Sequence, residues 1–127
     1  MNSFTTIPIY AVLLGAIYLF LSINVIKARR AAKVSLMDGD DPNLIKAIRT
    51  HGNFIEYVPF CLLLLIMAEA NNGDKFPLHV LGAILLISRL LHPLALHLSS
   101  IKTRVIAMSC TFTATFGSMV LLLNTLF

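Results

Sequence analysis

Four apolar stretches, each near the length needed to cross a bilayer, run along 127 residues with only short polar breaks between them. A hydrocarbon core about 30 Å thick takes roughly 20 mostly apolar residues in helix. The first stretch runs from Ile7 to Ile26 and is stopped by Lys27, Arg29, Arg30 and Lys33. It is longer than a signal-peptide core, and no small-residue cleavage site follows it. The second runs from about Asn43 to Ala70, with polar first turns and its driest part at Tyr57–Ala68. The third, from about Pro77 to His97, carries Arg89 and His92, and the fourth runs from about Lys102 to the C-terminus. Met37-Asp38-Gly39-Asp40-Asp41-Pro42 reads as a turn, as does Asn71-Asn72-Gly73-Asp74, and Ser99-Ser100 joins the last two stretches. The chain is 57% hydrophobic with a mean hydropathy of +0.84, against roughly 45–50% apolar residues in soluble domains. A water-soluble core of this length cannot hide that much apolar surface. The expected fold is an all-α integral membrane protein. It forms one domain over residues 1–127, a four-transmembrane-helix bundle with helices at about 6–30, 43–70, 77–97 and 102–127.

Several function classes have no support. Cys61 and Cys110 both lie in apolar runs and read as small buried hydrophobes, not as a disulfide framework. Zinc-type Cys/His spacing, a phosphate-binding Gly-rich loop and a Gly-x-Ser-x-Gly elbow are absent. Neither a metal ion nor a nucleic-acid partner is expected.

The charges are unevenly placed. Loops one and three with their flanks hold Lys27, Arg29, Arg30, Lys33, Lys46, Arg49, Arg89, Lys102 and Arg104, and loop two holds only Lys75. Lys and Arg concentrate on the cytosolic side of membrane proteins. Loops one and three are therefore expected in the cytosol and both termini on the opposite side, with a bacterial inner membrane as the expected location.

The residues able to carry chemistry fall at that same face. On a helix, Arg49, Asn53 and Glu56 lie within about 60° of one another and form a polar stripe descending into the membrane. Arg89 and His92 share a face of the third helix, and Arg104 stands where the fourth begins. Charged groups at such depth are costly unless paired or lining a wet cavity. One reading is structural: Glu56 pairs with Arg49 or Arg89 and only holds the bundle together, with Arg104 an interface anchor. The other is an anion site. Arginine forks grip carboxylates in pairs, and Glu56 can take an ammonium group. Glutathione, with two carboxylates and an amine, fits that inventory; phosphate-bearing and other carboxylate ligands fit nearly as well.

The run Arg49-x-His51-x-Asn53-x-x-Glu56-x-x-Pro59 resembles the signature of the membrane-associated proteins in eicosanoid and glutathione metabolism, the MAPEG family, and size and layout are similar along essentially the whole chain. The chain is most similar to the short bacterial branch. The resemblance implies a homotrimer that binds glutathione between subunits near the cytosolic face. It implies glutathione as co-substrate, conjugated to a hydrophobic electrophile or used to reduce a lipid hydroperoxide. By matching position, Arg49, Asn53, Glu56 and Tyr57 would contact glutathione, with Arg89, His92 and Arg29 also binding, and Arg104 would be catalytic by stabilising the thiolate. The sequence departs from the family pattern at three points. Lys27 stands where several catalytic members present an arginine, Gly52 replaces a bulkier residue, and Leu96 stands where a tyrosine is frequent. A non-catalytic binding protein for lipid or a small anion, and a purely structural bundle, are the alternatives.

Overall fold

The structure, a computed structural model, describes residues 5–127. Four helices account for nearly all of it: α1 (Ile7–Ala32), α2 (Pro42–Ala70), α3 (Lys75–His97) and α4 (Ile101–Asn124). Each is long and apolar enough to span a membrane. α1 packs on α2 and α3 but not on α4, so α2 and α3 form the middle of the bundle.

The helix limits follow from local chemistry. α2 opens on Pro42, whose missing N–H would lack a partner in a first turn anyway. The Asp41 carboxylate caps it by accepting from the Asn43 and Leu44 N–H groups at 3.0 and 2.8 Å. α3 starts at Lys75, two residues before Pro77, because Asp74 accepts from the Phe76 N–H. Ser100 caps α4 in the same manner. The first helix continues through Lys27, Arg29 and Arg30 to Ala32, with Lys33 as its C-cap, since charge ends the membrane-buried part of a helix without breaking its hydrogen bonds. Three C-termini close with a residue in the left-handed region, Lys33, Asn72 and Ser99, whose following N–H bonds back into the last turn. α2 and α3 run unbroken through Pro59 and Pro93.

The buried face of α3 repeats at helical spacing through Leu78, Leu81, Gly82, Leu85, Ser88, Arg89, His92 and Ala95. α4 meets it with a stripe of small residues, Ala107, Thr111, Ala114 and Ser118. Small side chains let two backbones approach closely in a membrane, where apolar burial alone does not favour helix–helix contact over lipid. The hydroxyls on that stripe donate to carbonyls four residues back, as Thr111 does to Ala107 and Ser118 to Ala114, so none is left without a partner. Gly82 serves the α1–α3 contact: a Cβ there would sit 2.6 Å from the Tyr10 ring. The Tyr10 hydroxyl donates to the His79 carbonyl at 3.0 Å, which holds the ring over the glycine. The outward faces are apolar, as at Val12, Leu19, Phe20, Phe112 and Phe116.

Glu69, near the end of α2, has a role that sequence reading missed. It is 8% exposed, and its carboxylate accepts from three backbone N–H groups at the start of α1: Thr5 at 3.1 Å, Thr6 at 2.7 Å and Ile7 at 3.0 Å. Thr6 occupies the N-cap position but makes no side-chain cap of its own. A carboxylate more than sixty residues away in sequence supplies the cap instead, at the positive end of the helix dipole. The signal available was a charge continuing the buried register of Cys61, Leu65 and Ala68. The contact also fixes the geometry of the bundle: the start of α1 and the 71–74 turn share one end, and loops 33–41 and 98–100 share the other, basic end.

Candidate functional site

At the basic end, α2, α3 and α4 enclose a cavity of about 90 Å³ lined by Arg49, Asn53, His92, Leu96 and Arg104. Three helices deliver these groups. Arg49 and Asn53 are one turn apart on α2, His92 and Leu96 one turn apart on α3, and Arg104 stands one turn into α4. The Ser99-Ser100 turn is what brings Arg104 back over the α3 residues it follows in sequence. No carboxylate lines the cavity, while two guanidinium groups do.

Arg89 lies behind it, 1% exposed and the largest fully buried side chain. Its Nε donates to Ser88 Oγ at 3.0 Å, its Nη1 to Asn53 Oδ1 at 2.8 Å, and its Nη2 to Thr111 Oγ1. Ser88 and Thr111 each pass their own proton to a backbone carbonyl, leaving the oxygen free to accept. One buried cation thus ties α2, α3 and α4 together. All its partners are neutral, so the Glu56–Arg89 ion pair weighed from sequence is not formed within the chain. A buried charge lacking a counter-charge is costly, and its field favours an anion nearby. The same residue orients Asn53: with Oδ1 held by Arg89, Nδ2 is turned toward α4, 3.6 Å from Met108 Sδ.

The other sequence-selected residues lie elsewhere. Glu56 is exposed on α2, outside the cavity lining. Tyr57 is half-buried and meets Phe112 of α4 edge to face, with ring centroids 5.8 Å apart. Arg29 is not brought to the cavity. Its Nη1 donates to the Met37 carbonyl at 2.6 Å and braces loop one. His51 turns to α1, where its Nε2 meets Ser22 Oγ at 3.0 Å and its ring packs on Tyr18. Ser88 and Thr111, which hold Arg89, were not picked out from sequence, where a hydroxyl in an apolar run is unremarkable.

The sequence model of the MAPEG family matches residues 7–124, nearly the whole chain. The chain belongs to the MAPEG family. It is 34% identical over 106 residues to the inner membrane protein YecN of Escherichia coli K12, a match covering 84% of this chain and 81% of YecN. The same protein from E. coli O6:H1 strain CFT073 matches to the same extent. No solved structure matches the chain. This MAPEG chain is accordingly a multi-pass membrane protein of the glutathione and eicosanoid metabolism family, with four helices long and apolar enough to cross a bilayer.

Proposed function

We propose that this MAPEG protein is a membrane glutathione transferase, with the α2/α3/α4 cavity holding part of the tripeptide. The observation that carries the reading is the grouping of Arg49, Asn53, His92 and Arg104 around one cavity backed by Arg89, with no carboxylate in its lining. Arg49 binds a glutathione carboxylate through its fork, and Asn53, held by Arg89, donates from its amide nitrogen. Arg104 faces the sulfur. A cation beside a thiol lowers its pKa and raises the fraction present as thiolate, the nucleophilic form. The thiol proton leaves to interfacial water. The thiolate forms a sulfur–carbon bond to an electrophile dissolved in the bilayer, and the leaving group departs with its bonding electrons. Toward a lipid hydroperoxide the same thiolate attacks the terminal peroxide oxygen, the O–O bond breaks, the alkoxide takes a proton from water and leaves as the alcohol, and a second glutathione converts the sulfenic acid to glutathione disulfide and water. Leu96, in place of a tyrosine, keeps that wall apolar.

A cavity of about 90 Å³ covers only a fragment of glutathione, since sites that enclose such ligands run to roughly 300–1,000 Å³. Glu56 is exposed about halfway along a membrane-spanning helix, where a carboxylate facing lipid is costly. Both points support a homotrimer in which the neighbouring subunit covers Glu56 and completes the site, Tyr57 and the Arg29 loop included. Mass measurement in nanodiscs should give three chains per particle, with glutathione bound. A monomer binding glutathione at full affinity would contradict the shared site.

The sidedness belongs to the same proposal. Nine of the ten Lys and Arg residues lie at or near the basic end, which supports a cytosolic position for that end, on the side where the ligand is supplied. A reporter active only in the cytosol should be silent when fused after Phe127. A strong signal there would reverse the orientation.

A further inference from the structure

A second and larger cavity, about 460 Å³, opens at the same end between α1, α2 and α3. We infer that it is a binding site for a single-chain amphiphile with an anionic head, drawn from the surrounding bilayer. The inference does not rest on the proposed transferase activity, because no residue holding the glutathione site lines this cavity except the shared wall, Leu96.

The lining is divided by polarity. Toward the basic end it presents Asn24, Asn43, Lys46 and His97, and below them Phe20, Leu21 and Leu94. Thr50, which could have made the floor polar, donates its hydroxyl to the Lys46 carbonyl at 2.8 Å. No carboxylate lines the cavity, and the Lys46 ammonium donates to the Ser99 hydroxyl at 3.5 Å, a long contact. The cation is therefore available to a ligand. Phe20 and Leu94, at 60% and 47% exposed, form a lateral edge, so the opening faces the apolar surround of the bundle. The volume falls in the range of small-molecule sites, roughly 300–1,000 Å³. A small water-soluble anion would leave the apolar floor uncovered, and a neutral lipid would forgo the charge contact that Lys46, exposed at the rim, offers. A carboxylate or phosphate monoester on one acyl chain satisfies both ends.

The test is photolabelling with a diazirine-bearing palmitate, on the full chain in phosphatidylcholine nanodiscs, with labelled peptides located by mass spectrometry. Labelling should saturate and concentrate on the Phe20–Leu21 and Leu94 segments. Oleate and lysophosphatidate should compete, the stronger of the two identifying the head as carboxylate or phosphate, while lysophosphatidylcholine should not. Lys46→Glu should weaken labelling about tenfold or more, and Lys46→Arg should retain it. Ala47→Leu, which fills the cavity without altering charge, should also abolish saturable labelling. Excess glutathione should leave labelling unchanged. Unsaturable labelling spread over outward residues such as Val12 and Phe116, or indifference to both Lys46→Glu and Ala47→Leu, would overturn the site. Displacement by glutathione would assign the label to the other cavity and overturn it equally.

Discussion

Arg104→Ala should lower the rate of glutathione conjugation to an aryl halide about tenfold or more near neutral pH, while leaving glutathione affinity nearly unchanged. Arg104 enters the cavity from α4, whereas Arg49 and Asn53 enter it from α2. If its cation stabilises the thiolate, its loss raises the pKa of the bound thiol by about one unit or more, worth roughly 1.4 kcal/mol per unit. The sign fixes the pH profile. A raised pKa leaves less thiolate, so the fold deficit is full below both pKa values and closes as pH climbs above them. Arg49→Ala should do the reverse, weakening glutathione binding roughly tenfold or more through loss of a charge-assisted bidentate contact, with a smaller effect on the bound complex. Binding measured by calorimetry and rates measured across pH separate the two. Wild-type turnover in Arg104→Ala, together with normal binding in Arg49→Ala, would assign both arginines to interface anchoring.

Glu69→Ala should give the largest loss of stability of any single substitution at the end opposite the basic one. It removes the acceptor for the Thr5, Thr6 and Ile7 N–H groups together. Pro8 has no N–H, and Thr6 does not cap with its own side chain, so among the described residues α1 has no local substitute. Hydrogen bonds to a charged acceptor contribute more than neutral ones, and a lost cap alone costs about 1 kcal/mol, so a total of about 2–3 kcal/mol is expected. Glu69→Gln keeps one acceptor oxygen and loses the charge at the helix N-terminus, so it should fall between alanine and wild type. Thermal unfolding in a mild detergent measures this. Equal stability of Glu69→Ala and wild type would show that α1 is held by its contacts with α2 and α3 alone.

The four helices were legible in sequence because a bilayer sets their length and the Lys/Arg runs, Pro42 and the Asn-Gly turn punctuate them. Their limits shifted by a few residues where capping side chains set the ends: Asp74 drew α3 back to Lys75, and α1 ran on through its basic cluster to Ala32. The grouping of Arg49 and Asn53 was readable from helical periodicity alone. That His92 and Arg104 meet them across three helices depends on which faces of α3 and α4 turn inward. The α4 stripe of Ala107, Thr111, Ala114 and Ser118 decides that, and small residues carry little hydropathy contrast. Arg89 was legible as a charge needing company, but its partners were not, because its neutral acceptors Ser88, Asn53 and Thr111 look unremarkable singly. Glu69 was the clearest omission, since its partners are backbone groups of a distant helix and no side-chain motif announces them.

The central claim is that Arg104, in a cavity free of carboxylates, makes a thiolate of bound glutathione. The direct measurement is the ultraviolet thiolate absorbance of glutathione titrated with purified protein at neutral pH. Absorbance should rise in proportion to protein until the sites are filled, and the rise should be absent with Arg104→Ala although glutathione still binds. Glutathione bound by wild-type protein with no gain in thiolate absorbance would contradict the claim and make the cavity a binding site without catalysis.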